Sequence, residues 1–468
     1  MVIHFSVKRA LLAALLATAL QGAYAAQPLE LRQAAALALA HNADLHLAAL
    51  DAAGADAAVT SAGAAPNPTL TLQSFNINPG AGVGAGSLRS KTVDSAIRID
   101  QLIERGGKRS LRVATAGSLA AASASDAQDM RRRVLLQVSQ AYYDLLAAEG
   151  RLAIMRDSAR LFELTVEAAR KRLQAGDLAP ADVARVQVDA LRAHNDAAQA
   201  ATDRFAARQV LAMLIGQPEQ AGALEVADVW PAVQGETALL AAALGGDATA
   251  GGIATAGSDA TARGNSATSG NATANGNATA SGDALQAAVA RRPDVAAAQA
   301  RVEAAQAARK LALAARSADV TVGVQAEHYP TSAANPQGSG NSFGIALQIP
   351  LQVRYAYQGE LRAADSALDS AQERLRQVRQ RARAELELSL EQVRSAGQRL
   401  RRDDDELLRA AGKSADAAEF AFQRGALGIM DLLDVRRTYR SAQLDALAAR
   451  ADYAKSVAAL QAAVSQGK

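Results

Sequence analysis

The chain has 468 residues, 50 of them Lys or Arg and 47 Asp or Glu, for a formal net charge of +3. That balance gives no case for nucleic-acid binding, and the complete absence of Cys rules out a disulfide scaffold. Aromatic residues are only 3% and Ala is abundant, a composition of long helices packed at close range.

Residues 1–25 have the pattern of an export signal. Lys8 and Arg9 are its positive start, Leu11 to Leu20 its short apolar run, and Ala23-Tyr24-Ala25 a small-x-small cleavage site. The run is too short to cross a bilayer as a helix, and no Cys follows that could carry a lipid. No later segment has the roughly 18 apolar residues of a membrane helix. The mature protein is expected outside the cytoplasm, either periplasmic or crossing an outer membrane as strands.

Leu29 to Ala64 is predicted as one helix, stopped by Pro66-Asn67-Pro68. Thr69 to Ile77 alternates like a strand, and a Gly-rich loop runs from Asn78 to Gly86. Val93, Ser95, Ile97 and Ile99 then share one face against Asp94, Ala96, Arg98 and Asp100, a second strand. After Gly106-Gly107 the period becomes 3.5: Leu145, Ala148, Leu152, Met155, Ala159, Phe162, Val166, Ala169 and Leu173 alternate steps of three and four. A helix from Lys108 to Ala175 would reach about 100 Å at 1.5 Å per residue. Gly176 to Pro180 is a turn, and helix resumes to Ile215. Gly235 to Asp283 is mostly Ala, Gly, Ser, Thr and Asn, and is expected to be a partly disordered linker.

The second half repeats the plan. Leu285 to Arg316 is predicted helical, Val320 to Ala326 a strand, Pro330 to Asn341 a loop and Phe343 to Ile349 a strand. A long helix from Glu360 to Gln423, a turn from Arg424 to Gly428 and a last helix to Val464 complete it. Short motifs recur as well. Leu173 to Leu178 matches Phe422 to Leu427, His41 to Leu45 matches Arg291 to Val295, and Ile99 to Leu102 matches Gln348 to Leu351, all offset by 249 or 250. The expected division is a signal at 1–25, a first repeat at 26–216, an inter-repeat region at 217–283 and a second repeat at 284–468.

Strands of about ten residues fit a tilted crossing of a bilayer. Four cannot close a barrel, and open edges in lipid cost several kcal/mol per unsatisfied backbone group, so other copies of the chain must complete the sheet. Two copies would give eight strands and three would give twelve. The plainer alternatives are two periplasmic hairpins packed on helices, and an ordinary antiparallel coiled coil.

With this duplicated order of elements and the turn motif Gly425-x5-Asp431-Leu432-Leu433-Asp434, nearly all of the mature chain resembles the TolC-like outer-membrane efflux proteins. The resemblance implies a mixed α and transmembrane-β fold, in which a homotrimer forms a twelve-stranded outer-membrane β-barrel continued by a long periplasmic α-helical barrel. It implies a passive exit duct, coupled through a periplasmic adaptor to an inner-membrane RND-type pump. It places Asp431, Asp434 and Asp182 in aspartate rings at a periplasmic gate, where symmetric carboxylates attract cations. Phe422 falls where some members have a gating Tyr, and Leu427 where some have an Arg, which leaves packing and Arg424 to hold the gate. The turns Gly176-Asp177-Leu178 and Gly425-Ala426-Leu427 become adaptor-docking points.

Each of these residues has a plainer explanation: carboxylates at a helix start, and glycines that cap helices. Gln101-Leu102-Ile103-Glu104-Arg105-Gly106-Gly107-Lys108-Arg109 looks like the CzcC-type heavy-metal branch and favours divalent cations as cargo. Drug or organic-solute efflux and a periplasmic coiled-coil adaptor remain alternatives. No nucleophile elbow, HExxH or P-loop points to an enzyme. His41, His46, His194 and His328 are scattered, so neither a cofactor nor a metal site is expected.

Overall fold

The computed structural model describes residues 28–75, 94–234, 285–329 and 340–465. The expected export signal, the linker from Gly235 to Asp283, the strand positions Ile77 and Val93, the loop expected from Asn78 to Gly86 and most of that expected from Pro330 to Asn341 lie outside these residues. In chain order the elements are α1 (Leu31–His41), α2 (Ala43–Gly63), β1 (Thr69–Phe75), β2 (Asp94–Ile103), α3 (Lys108–Gln174) and α4 (Pro180–Leu214). They continue with α5 (Pro293–Ala314), β3 (Val320–Tyr329), β4 (Gly340–Gln348), α6 (Gln358–Arg402), α7 (Leu408–Gln423) and α8 (Ile429–Val464). Among the described residues no helix is long and apolar enough to cross a membrane.

Two units divide the chain, and each draws on both halves of the sequence. The first comprises Met1–Leu47, Gln128–Arg292 and Arg381–Lys468. In it the predicted 3.5-residue seam is buried: Leu145, Leu152, Met155, Ala159, Phe162, Val166 and Ala169 of α3 are all nearly inaccessible. A second cluster gathers Val134, Val138, Tyr142 and Leu145 with Leu211, Ile215 and Val226. Buried Tyr142 donates its hydroxyl hydrogen to Ala227 O at 2.9 Å, so the aromatic body packs while its polar end stays satisfied. Part of the inter-repeat region is thus structured. Pro218–Ala223 is a 3-10 turn, and Val226 forms a parallel bridge with Leu29.

Three helices predicted as continuous are interrupted. The first breaks at Asn42, whose side-chain oxygen accepts from the amides of Asp44 (3.0 Å) and Leu45 (3.2 Å) and so caps α2. The helix expected from Leu285 to Arg316 breaks at Arg292, because Pro293 can open α5 but cannot donate within a helix. The third long helix contains a π-helical turn, Asp403–Leu407. Strict three-four spacing from buried Leu400 would bury Ala410, but Ala411, Ala418 and Phe422 are buried instead. The π turn takes up one extra residue, and the seam resumes one position late.

The second unit comprises Ala48–Ala127 and Pro293–Gln380 and holds a four-stranded antiparallel sheet in the order β1-β2-β3-β4. Thr71 stands opposite Arg98 in the first hairpin and Thr321 opposite Gln348 in the second, both shifted by 250 residues. This corrects the motif match at this point: Ile99 corresponds to Ile349, not to Gln348. A shift of 249 would put every strand side chain on the wrong face.

Candidate functional site

Two places in the molecule carry the candidate functional residues: the helical turns of the first unit and the sheet of the second. At the turns, α3 ends at Gly176 with φ 85° and α7 ends at Gly425 with φ 75°, a backbone conformation that favours glycine. The hydrogen bonds are the same in both. Asp177 N–H reaches Arg172 O (2.9 Å) and Gly176 N–H reaches Leu173 O (3.1 Å); Ala426 N–H reaches Ala421 O (2.9 Å) and Gly425 N–H reaches Phe422 O (3.0 Å). This paired closure satisfies the last carbonyls of each helix. Leu178 and Leu427 then fold back onto one shared apolar cluster containing Phe162, Val186, Phe422, Leu432 and Leu433. The structure therefore brings the two turns together, with Gly176, Asp177, Gly425 and Ala426 exposed.

Asp431 lies in the first turn of α8 and Asp182 in the first turn of α4, where the helix dipole favours a carboxylate. Asp431 and Asp434 are exposed and Asp182 is half-buried. Among the described residues none of these three carboxylates is in an ion pair, whereas Arg436, Arg437 and Arg440 farther along α8 are each paired with other carboxylates. Phe422 is buried beneath Arg172, whose guanidinium lies 4.3 Å from the ring centroid and donates to Phe422 O at 3.3 Å. Arg424 instead covers Phe420, one turn back on its own helix, at 4.2 Å.

Polar ties between the two halves of the chain come from residues that the sequence did not single out. Arg172 is one, and Arg436, which bonds to Leu161 O at 3.2 Å and to Thr165 and Glu419, is another. Arg437 pairs with Asp189. The available signal was position: Arg172 and Arg436 each adjoin a seam residue, Leu173 and Val435.

The sheet has two chemically distinct faces. Leu70, Leu72, Ile97, Ile99, Val324, Phe343, Ile345 and Leu347 share one face and are exposed, Phe343 and Ile345 by 83% and 84%. So large an apolar surface is foreign to a sheet that faces water. The other face carries an Arg98–Asp100 ion pair at 2.8 Å, and Glu327 bonded by Gln325 (3.1 Å) and Ser342 (3.4 Å). β1 and β4 are free edges.

Beyond the strand ends, the Glu104-to-Arg109 segment ties the hairpins to the helices. Arg112 donates to Glu104 (2.9 Å), while Lys108 bonds Asp319 and Ser317 O (both 2.8 Å). The hydrogen bond from Arg112 holds the Glu104 carboxyl below its ordinary range against the opposing effect of burial. Burial would raise Asp319, but hydrogen bonds from Lys108 and the Arg105 amide outweigh it and hold it low. The motif singled out for its likeness to metal-efflux members therefore has a structural role at this junction. Among the described residues no three His, Cys, Asp or Glu side chains are grouped to hold a metal ion.

A family profile described as "Outer membrane efflux protein" matches residues 34–217 and 284–466, most of the chain in two segments of similar length. The chain belongs to that family. As an outer membrane efflux protein it is a transport duct and not an enzyme. It is 25% identical over 427 residues to the "Cobalt-zinc-cadmium resistance protein CzcC" of Cupriavidus metallidurans, covering 90% of this chain and 86% of that protein. In fold it is similar to the outer-membrane channel OprN, with a TM-score of 0.70, 18% identity, and 94% of this chain and 91% of that chain covered. It is also similar to the Campylobacter jejuni CmeC outer membrane channel, with a TM-score of 0.72, 14% identity and coverage of 93% and 86%.

Proposed function

We propose that this efflux protein forms the outer-membrane exit of a tripartite system as a homotrimer. Three four-stranded sheets close a twelve-stranded barrel, and the long helices of both repeats continue it as a periplasmic α-helical barrel. The duct receives its cargo from a periplasmic adaptor and an inner-membrane RND-type pump. The open sheet carries this reading, with one broad apolar face and two unpaired edges. In lipid that face is at home, but the edges are not, because nothing there can hydrogen-bond them. A periplasmic adaptor has no use for such a face. The recurrence of strand register and turn geometry at an offset near 250 supports an internal duplication, and the segment at 1–25 is the export signal on this reading.

The turns form the periplasmic end. Asp431 and Asp434, with Asp182, line its narrow axis as carboxylate rings that draw in cations. Phe422 under Arg172 packs the closed state, with Arg424 on its rim. Gly176-Asp177-Leu178 and Gly425-Ala426-Leu427 are the points where the adaptor docks. The cargo is divalent heavy-metal cations, supported by the likeness to the cobalt-zinc-cadmium resistance protein. Deleting the gene should sensitise the source cell to cobalt, zinc and cadmium salts while leaving tolerance of organic toxicants unchanged. The reverse pattern would assign the duct to drugs or organic solutes.

A further inference from the structure

The shift of 250 that superposes the two hairpins leaves one pairing without a counterpart in the described chain. β2 pairs with β3, with Ile99 opposite Val324, Gln101 opposite Val322 and Ile103 opposite Val320. Moving the β2 positions forward by 250 gives Ile349, Leu351 and Val353. Moving the β3 positions back by 250 gives Ser74, Leu72 and Leu70. The first set follows β4 at one free edge of the sheet and the second lies on β1 at the other.

The local structure fits this correspondence. β2 runs on to Ile103 because β3 covers it, whereas the ladder of β4 ends at Gln348. The alternation nevertheless continues past that end. Leu351 and Val353 are 80% and 83% exposed, and Gln352 between them is half-buried and donates to Ala315 O at 3.1 Å. On β1, Leu70 and Leu72 are 58% and 70% exposed. Leu70 and Leu72 belong to the apolar face of the sheet, and Leu351 and Val353 continue in sequence the alternation of Phe343, Ile345 and Leu347 on that face.

We propose that β4 of one copy continues through Val353 and pairs antiparallel with β1 of the next copy. Leu351 stands opposite Leu72 of that copy, and Val353 opposite its Leu70. The inference rests on the trimeric reading above and adds the register of its seam. Backbone groups of the two edges then find partners in each other, and Leu351 and Val353 gain cross-strand neighbours in Leu72 and Leu70. Pro350, opposite Gln73, cannot donate a hydrogen bond, so that single position is the exception to the pairing.

The chain has no Cys, so paired substitutions report without background. Neighbouring antiparallel pairs alternate between Cα separations of about 5.5 and 4.5 Å, so one pair of each type is needed. Leu351→Cys with Leu72→Cys supplies one, and Gln352→Cys with Thr71→Cys the other. In outer membranes treated with a mild oxidant, at least one of these double variants should run as a covalent trimer on non-reducing gels. Shifted controls, Leu351→Cys with Leu70→Cys or with Ser74→Cys, place the residues roughly 7–8 Å apart and should link on the order of tenfold more slowly. Faster linking in a shifted control overturns the register and leaves the trimer standing. No linking in any variant that still sediments as a trimer overturns the pairing of β4 with β1. If the unmodified protein is itself a monomer, the trimeric reading fails first.

Discussion

Asn42 and Arg292 occupy corresponding joints in the two halves of the chain, yet one is a neutral amide and the other a buried guanidinium. Each sits between a short helix and a longer one, and each donates to a carbonyl at the end of a later helix, α4 or α8. Asn42 Nδ2 reaches Leu214 O at 2.9 Å, and Arg292 Nη1 reaches Ala463 O at 3.4 Å. Asn42 completes its joint alone, capping α2 with its oxygen. Arg292, only 1% exposed, needs a counter-charge and takes Glu385 of α6 at 2.8 Å. Glu385 also meets Arg132 at 3.5 Å, and Arg132 is held by Asp129 at 2.8 Å. The two joints share their geometry but not their chemistry. The second joint is tied into a charged network that the first lacks.

The turns show the same division. Their hydrogen bonds match, but their charges differ. The position corresponding to Asp434 in the first turn is Arg185, so Asp182 has a cation one helical turn away and Asp431 has a second carboxylate.

The largest expected effect concerns a third glycine that ends a helix. Gly216, at the end of α4, has φ 72°, and a Cβ there would lie 2.5 Å from His41 O. Gly216→Val should cost about 3 kcal/mol or more, since left-handed strain and overpacking add. Gly176→Ala and Gly425→Ala, where nothing lies within 4 Å, should cost only about 1 kcal/mol each. Thermal melts in detergent compare them, and equal losses would show that the open turns are packed in the assembly.

Next come the joints. Arg292→Ala should cost about 2–3 kcal/mol, less than a fully buried pair because Glu385 can be solvated. Asn42→Ala should cost about 1–2 kcal/mol, for one cap and one carbonyl bond. In a double-mutant cycle Glu385→Gln should couple to Arg292→Ala and not to Asn42→Ala. Coupling to both would erase the distinction between the joints.

The proposed gate separates the turns. In planar bilayers, Asp431→Asn with Asp434→Asn should weaken block by trivalent cations on the order of tenfold, about 1.4 kcal/mol. Asp182→Asn should change it far less, with Arg185 nearby. A larger effect at Asp182 would contradict the charge difference drawn between the two turns.

The smallest effect is of pH. Glu104 and Asp319 have folded-state values held below their ordinary 4.5 and 3.8. Their contribution to stability is complete above those ordinary values and is lost as pH falls through the lowered ones. Arg112→Met should therefore flatten the acid limb of the melting profile below about pH 4.5 and change its slope little near neutrality. An unchanged acid limb would show that this junction does not contribute.

Most of the architecture was legible because it is periodic. The seam from Leu145 to Ala169 and the alternation from Phe343 to Leu347 repeat often enough to fix element type and face. What escaped were single-residue events. Asn42 ends a helix through hydrogen bonds to its own flanks, in a segment whose Ala content favours continuity. The π turn at Asp403–Leu407 leaves no mark until the buried positions are known to resume at Ala411. The one-residue error in matching the hairpins arose because loose identity cannot distinguish Ile99-to-Gln348 from Ile99-to-Ile349, whereas strand pairing can. At the turns the aspartates stood out by their spacing. Arg172 and Arg436 did not, because the partners through which they tie the two halves, Phe422 and Thr165, lie 250 and 271 residues away.

In the proposed duct one chain supplies four strands of a wall that only its sister copies can finish. Light scattering on protein extracted from outer membranes in mild detergent tests this most directly. A mass of three chains, after subtraction of bound detergent, is the predicted result. A single folded chain of unchanged β content would contradict it.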